Sequence, residues 1–348
     1  MSSVTAEYAS EWQWLKGREF DFIFVVGTFA LGVMTAVVVI VKPALFLPIL
    51  IADLWLLGYH HVISTYTRLC FDRKSFAEHR QLVLLTFPLV LGFTALAAWT
   101  LGVWIVVSVY FYWQWWHYTR QSWGISRAYH GKDPGTSYEN GWLEQAIFYS
   151  LPVLGVLSHS HQDPGLFLKL ELRVIPVPEV VVDTATVTAI LLVSLWLARR
   201  VLAGFQGRLA LAHTLYMFTH FMIFAIAYLW IEDITYGWLA INIWHNAQYI
   251  LFVWLFNMRR FKNGRDPTAP FLSYISQPER RLLYFGSCII VTGIIYFTIL
   301  GTLSGLLFAG LSATLVVFQT VNFHHYIVDS RIWKIRKQPI RETLGIGS

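Results

Sequence analysis

Two pairs of histidines occur where apolar segments of this sequence give way to basic ones. His60 and His61 lie in LLGYHHVIST, and His324 and His325 lie in VNFHHYIVDS. Neutral imidazole is the commonest protein ligand for iron, copper and zinc. Because adjacent side chains of a helix point about 100° apart, one member of a pair could bind a metal while the other packs.

Carboxylates accompany both pairs at helical spacings. Asp53 precedes His60 by seven residues, and Asp329 follows His325 by four, so each carboxylate is predicted to share a helix face with its histidine. Either carboxylate could bind a metal or orient a ligating imidazole. The predicted metal ligands are His60, His61, His117, His213, His220, His245, His324 and His325. The predicted catalytic residues are Asp53, Asp329, Gln114 and Tyr249.

The composition indicates an integral membrane protein. Of the 348 residues, 56% are hydrophobic and 13% are charged, whereas soluble domains carry about 25% charged residues. Sixteen Trp and seventeen Tyr are typical of a chain with many membrane interfaces. Two cysteines, Cys70 and Cys288, provide no disulfide framework. The net charge of +6 is carried between apolar segments, so we interpret it as membrane topology and predict no nucleic-acid partner.

Ten stretches of about 20 apolar residues predict ten membrane-spanning helices. Their approximate limits are 21–41, 44–64, 81–100, 102–122, 141–158, 180–198, 209–231, 236–257, 282–300 and 302–323. We therefore predict an all-α polytopic protein with one transmembrane domain over 1–348. Its helical bundle, 21–323, lies between an interfacial N-terminal segment, 1–20, and a basic tail, 324–348.

The basic residues predict the orientation of these spans. With a cytoplasmic N-terminus, 23 of the 26 Lys and Arg fall in cytoplasmic segments, and only Lys42, Lys169 and Arg173 fall outside. This asymmetry follows the positive-inside rule and predicts that both termini are cytoplasmic, in a bacterial inner membrane. It also places the eight predicted ligands in the cytoplasmic half or near the midplane. The other histidines are interpreted as loop residues: His79, His130, His159 and His161.

Polar groups at a common depth predict a shared chamber. Ionisable side chains inside a membrane are costly and usually face the interior of the bundle. Several histidines from different helices, with one or two carboxylates, match the ligand set of a non-haem iron or copper centre with positions left for O2. We therefore predict one or two non-haem irons, with copper, zinc or haem as alternatives.

A hydroxyl residue followed by arginine recurs just beyond the spans. The four occurrences are Thr67-Arg68, Thr119-Arg120, Ser126-Arg127 and Ser330-Arg331. They could form a cationic rim for an anionic substrate or lipid headgroup, or they could be ordinary positive-inside anchors. The aromatic run from Tyr110 to Tyr118 could similarly line a tunnel for a lipophilic substrate or pack at the membrane interface.

Histidine-bearing helix ends that face the cytoplasm resemble the plan of integral-membrane non-haem iron oxygenases. That group includes fatty-acyl desaturases, sterol and alkane hydroxylases, and bacterial carotenoid-cleaving oxygenases. The HxxxH and HxxHH boxes of desaturases and hydroxylases are absent, and the nearest elements are His60-His61 and His324-His325. The resemblance implies an O2-dependent oxidoreductase that acts on a lipophilic substrate, with membrane lipids around it. A separate cytoplasmic electron donor is expected, because no flavin or Fe–S motif is present.

Three other functions remain open from the sequence. Histidines on different spans could ligate a b-type haem in a quinone-linked redox protein. Asp53 and the midplane histidines could form the relay of a transporter. A lipid transferase could use the arginine rim as its active element.

Overall fold

The computed structural model describes residues 12–133, 136, 141–302 and 311–346. Ten long helices occur within these ranges: α1 Arg18–Val41, α2 Pro43–Cys70, α3 Arg73–Leu101, α4 Val103–His130, α5 Gly141–Gln162, α6 Glu179–Phe205, α7 Leu211–Trp230, α8 Ile234–Arg260, α10 Pro278–Thr298 and α11 Leu311–Ile332. Two short helices, α9 Pro270–Ile275 and α12 Gln338–Leu344, complete the helical elements used below. Strands β1 Leu166–Phe167 and β2 Leu170–Glu171 form one antiparallel pair, with Phe167 opposite Leu170.

Six of the described helices are long and apolar enough to cross a membrane, namely α1, α2, α3, α6, α7 and α10. The prediction of a helical protein is therefore confirmed, and these six helices support the prediction of an integral membrane protein, whereas the count of ten spans and the orientation stay predictions. The other four long helices, α4, α5, α8 and α11, overlap the remaining predicted spans. They carry much of the polar sequence, which a helix tolerates in a membrane when protein surrounds it.

Helix α8 passes through the centre of the molecule. Every residue from 237 to 250 is buried, so this helix has no lipid-facing stripe and can carry polar side chains toward its neighbours. Its start is capped by Asp233, whose carboxylate accepts hydrogen bonds from the backbone N–H groups of Thr235 and Tyr236. Helix α1 approaches α8 closely at Gly32, where a Cβ would lie 2.6 Å from the carbonyl oxygen of Ala240.

Helix α2 contains a π-helical segment, Leu54–Gly58, directly before the first histidine pair. An i→i+5 turn accommodates one extra residue, so side chains beyond it are rotated relative to those of a continuous α-helix. As a result, Asp53 and His61 both face α8, while the His60 ring lies against Phe285 of α10. The prediction that Asp53 and His60 share a face is therefore wrong.

Helices α4 and α11 pack side by side and position two further histidines. Gly102, with φ of 95°, makes the tight turn between α3 and α4, a backbone conformation that glycine adopts without strain. Trp113 of α4 stacks on Phe323 of α11, with ring centroids 5.3 Å apart. Four residues after Trp113 and two residues after Phe323, His117 and His325 come within 5.0 Å between ring centroids.

Candidate metal centre

Four helices bring four imidazoles and one carboxylate together in the buried core. We call this candidate metal-binding site the metal cluster; its members are His61 on α2, His117 on α4, His245 on α8, and His325 and Asp329 on α11. The His61 ring centroid lies 4.6 Å from that of His325, 4.8 Å from that of His245 and 6.0 Å from that of His117. All five side chains are buried, so the group is shielded from water.

The donor atoms of the cluster are close enough to share one ion. Single donor atoms of His61, His117, His325 and Asp329 all lie within 4.8 Å of one another. The Nε2 atoms of His61 and His325 are 2.6 Å apart. Metal–nitrogen bonds of about 2.1 Å put neighbouring ligands about 3 Å apart, so the observed separation is near that of two ligands on the same ion.

Four imidazole nitrogens in the cluster have no hydrogen-bond partner within the described part of the chain. They are Nε2 of His117 and His245 and Nδ1 of His61 and His325, and all four are buried. A buried polar atom without a partner is energetically costly. The cluster therefore fits an added cation, which would give the Nε2 atoms of His117 and His245 the partner that the protein does not.

Asp329 is held in place by hydrogen bonds to both of its carboxylate oxygens. Its Oδ1 accepts hydrogen bonds of 2.9 Å from both the Thr65 hydroxyl and the Tyr249 hydroxyl. The indole N–H of Trp333 donates in turn to the Tyr249 oxygen at 2.7 Å. The other carboxylate oxygen, Oδ2, lies 3.6 Å from Nε2 of His325 and accepts a long hydrogen bond of 3.5 Å from the Gln121 amide. Oδ1 is thus anchored by two short hydrogen bonds, and Oδ2 lies between Gln121 and the imidazoles.

A small cavity lies between the imidazoles. Its volume is about 40 Å³, and its lining includes all four clustered histidines together with Tyr110, Tyr118 and Tyr326. A cavity needs only about 10–15 Å³ to hold one water molecule. The space therefore suits a single ion with a small ligand and no larger group.

The other member of each histidine pair lies outside the cluster. His60 donates from Nδ1 to the carbonyl oxygen of Leu56 at 3.1 Å. His324 donates from Nε2 to the carbonyl oxygen of Leu82 at 2.6 Å, and its Nδ1 accepts from the Tyr66 hydroxyl at 2.5 Å. Each pair thus sends one imidazole into the cluster and packs the other against a neighbouring segment.

The two predicted ligands on α7 also lie outside the cluster. His220 donates from Nε2 to the carbonyl oxygen of Phe148 at 3.1 Å, and its Nδ1 lies 2.9 Å from the Ser122 hydroxyl. Both of its nitrogens therefore have protein partners. His213 lies 3.0 Å from the Ser126 hydroxyl and belongs to a separate polar group.

That separate group, which we call the Glu144 network, consists of Arg127, His130, Glu144 and His213. Arg127 donates to Oε2 of the buried Glu144 at 2.5 Å. The Nε2 atoms of His130 and His213 each lie 3.4 Å from a Glu144 oxygen. The guanidinium already provides a cation for the carboxylate, so the network joins α4, α5 and α7 as an ion pair. His130, expected in a loop, is the last residue of α4.

Asp53 and Gln114 border the cluster without joining it. Oδ2 of Asp53 accepts from the Asn242 amide at 2.6 Å, and Oδ1 of Asn242 accepts from the Tyr118 hydroxyl at 2.5 Å. Gln114 accepts from the indole N–H of Trp238 at 2.6 Å. The Tyr118 ring lies 4.1 Å from the His245 ring, so this chain of bonds touches the cluster through Tyr118.

Sequence reasoning missed Thr65 and Trp333, which position Asp329 directly or through Tyr249. The available signal is their spacing, since Thr65 follows His61 by four residues and Trp333 follows Asp329 by four. A helical neighbour at i+4 lies on the same face as the ligand it supports. Polar and aromatic residues one turn beyond a predicted ligand are therefore candidates for its support.

No protein-family model matches this chain, and neither a curated protein nor a solved structure matches it. The function of the metal cluster is therefore inferred from its own side chains. The resemblance to membrane non-haem iron oxygenases stays a prediction.

Proposed function

We propose that the metal cluster binds iron and that this protein is an O2-dependent membrane oxidoreductase acting on a lipophilic substrate. The observation that carries the proposal is the convergence of four buried imidazoles and one carboxylate with no Lys or Arg among them. Imidazole and carboxylate together suit iron, and imidazole also suits copper and zinc. Iron is preferred because a mixed His and carboxylate shell is typical of non-haem oxygenases.

The described side chains divide into ligands and supports. His61, His117, His325 and Oδ2 of Asp329 would hold the ion, and His245 would supply a further nitrogen. Thr65 and Tyr249 fix the carboxylate through Oδ1, as groups around a metal site commonly do. A bound iron would supply activation of O2. The burial of the cluster side chains limits their contact with bulk water.

The topology is part of the proposal. We infer that all ten long helices cross the membrane, that both termini are cytoplasmic and that the membrane is a bacterial inner membrane. The distribution of 23 of the 26 Lys and Arg supports this orientation. An electron donor, if the reaction uses one, is then a separate cytoplasmic protein, because two cysteines cannot hold a four-cysteine Fe–S cluster.

A haem protein is a weaker candidate on grounds of space. Two axial nitrogens on opposite sides of one iron lie about 4 Å apart, whereas those of His61 and His325 are 2.6 Å apart. The cavity between the imidazoles, of about 40 Å³, also has no room for a macrocycle.

A transporter is the second candidate, because the buried Oδ1 of Asp53 has no hydrogen-bond partner among the described residues.

The histidine pairs provide matched variants for the test. The full-length protein is purified in detergent, and its metals are measured by elemental analysis for the variants His61→Ala and His325→Ala. The control variants are His60→Ala and His324→Ala, each of which changes the other histidine of the pair. We expect the first two to lose iron by about tenfold or more, an effect typical of disrupted metal sites, and the controls to retain it. Full metal content in both His61→Ala and His325→Ala would falsify the proposed site.

A further inference from the structure

A second and larger cavity begins at the metal cluster. It has a volume of about 770 Å³ and shares His117, Tyr249 and Asp329 with the cluster and its supports. Sites for small molecules usually have volumes of about 300–1,000 Å³. The cavity is therefore large enough for a substrate and lies directly beside the proposed metal.

Aromatic side chains form the walls of this cavity. One wall is a single face of α4 that includes Trp113, Trp116 and Arg120, residues that recur at helical spacing. The opposite wall comes from α11, which contributes Tyr326, and from Trp333 directly after it. Such a surface favours the apolar part of a ligand, held between two helices and directed toward His117.

Cations dominate the outer part of the cavity. The charged residues of its lining are Arg120, Arg127, Lys334, Arg336, Arg341 and Asp329, and the one carboxylate lies at the inner end, in the metal cluster. Arg127 is paired with Glu144. Lys334 and Arg336 form no ion pair with any residue that the structure describes, and they follow directly after α11. They are thus placed to receive an acidic group.

We propose that this cavity binds an amphipathic anion whose acidic headgroup contacts Lys334 and Arg336 and whose apolar chain reaches the metal cluster. The inference rests on the proposed function, because it names the substrate class of that site. Positive-inside anchoring alone would account for the number of cations in this segment. It would not account for cations that line the same cavity as two proposed metal ligands.

The first test compares a charged probe with a neutral one of the same chain. The full-length protein is placed in nanodiscs of zwitterionic phosphatidylcholine and labelled with a diazirine-bearing alkyl phosphate or with the corresponding alkyl alcohol. We expect the phosphate to cross-link to residues of the cavity, as mapped by mass spectrometry, about tenfold more than the alcohol, which corresponds to about 1.4 kcal/mol. Equal labelling by the two probes would overturn the proposal.

The second test removes the cations. Lys334→Glu combined with Arg336→Glu is expected to lower phosphate labelling about tenfold. The matched control is Arg331→Glu combined with Lys337→Glu, because both of these residues are exposed and lie outside the lining. Labelling that is unchanged in the first variant, or lowered equally in the control, contradicts the proposal.

Two further measurements separate this proposal from the metal site and identify the source of the anion. The Lys334 and Arg336 variant is expected to keep its full metal content, whereas His61→Ala is expected to lose metal and keep labelling. Unlabelled phosphatidylglycerol in the nanodisc will compete if a membrane lipid is the occupant and will not if a free amphiphile is. Either result supports the proposal, since the headgroup chemistry is shared.

Discussion

The metal cluster and the Glu144 network are both buried groups of histidines around one carboxylate, yet only the network contains a cation. In the network, Arg127 donates to Glu144 at 2.5 Å. In the cluster, Asp329 accepts only from neutral donors, namely Thr65, Tyr249 and Gln121. Arg68 acts on Asp329 electrostatically without forming an ion pair with it. The network therefore contains a direct ion pair for its carboxylate, and the cluster does not.

This difference separates a structural role from a chemical one. A buried carboxylate is stable when it is paired and hydrogen-bonded, which is the case for Glu144. In the cluster, four imidazole nitrogens have no partner within the described residues, and two of them are the Nε2 atoms of His117 and His245. A metal ion would give those two atoms a partner, as Arg127 gives one to the carboxylate of the network. Histidine content and burial alone do not distinguish the two groups.

The largest expected effect is on stability and concerns the network. Glu144→Ala removes the carboxylate that Arg127 and two histidines share. Breaking the buried ion pair between Arg127 and Glu144 costs about 3 kcal/mol. We expect a fall in the midpoint of thermal unfolding in detergent, with the iron content per folded protein unchanged. Glu342→Ala, at an exposed position, is the control. Loss of iron in Glu144→Ala would mean that the two groups are coupled.

Removal of the metal should produce the next largest effect. A ligand at 100 times its dissociation constant stabilises the folded state by about 2.7 kcal/mol, so a chelator should lower the midpoint of thermal unfolding of the natural protein. The midpoint of Glu144→Ala should also fall with chelator, whereas that of His61→Ala should not respond. A response of His61→Ala equal to that of the natural protein would place the metal elsewhere.

The helices of the bundle were predictable from the sequence, because long apolar segments are a strong signal in a membrane protein. The predicted span 236–257 corresponds to α8, Ile234–Arg260, and 180–198 lies within α6, Glu179–Phe205. Which apolar helices surround a given span is not encoded in hydropathy. The central position of α8 therefore emerged only from the structure.

The cluster was partly predictable from the depth of each histidine within its predicted span. Common depth selected His117 and His325 correctly as neighbours in space, but depth does not specify the direction in which a side chain points. His220 is at a suitable depth and faces Ser122 instead. The sequence LWLLG also gives no indication of the π-helical segment Leu54–Gly58. This segment turns His61 rather than His60 toward α8.

A smaller effect is expected from the support of Asp329. Tyr249→Phe removes a hydroxyl that donates to Oδ1 of Asp329 and accepts from Trp333, so the carboxylate loses one of its anchors. Changes of this kind usually weaken metal binding by about tenfold to a hundredfold. Titration of the metal-free protein with Fe²⁺ measures the change. Tyr284→Phe, another buried tyrosine whose hydroxyl contacts Asn257, should bind iron normally; equal weakening in both variants would indicate a general loss of packing.

The smallest effect is expected at the border of the cluster, where Asp53→Asn tests how far the metal site extends. The amide keeps an oxygen that can accept from Asn242, so the loss of stability should be about 1 kcal/mol or less. Iron content should not change, because Asp53 is linked to Asn242 and lies outside the group of close donor atoms. A fall in iron content would extend the cluster to Asp53. Flux of protons or metal ions into vesicles that contain the protein is measured for the same variant. If the variant retains iron but abolishes this flux, the protein is a transporter rather than an oxidoreductase. Asp53 would then be the essential carboxylate, and the imidazoles would be its neighbours.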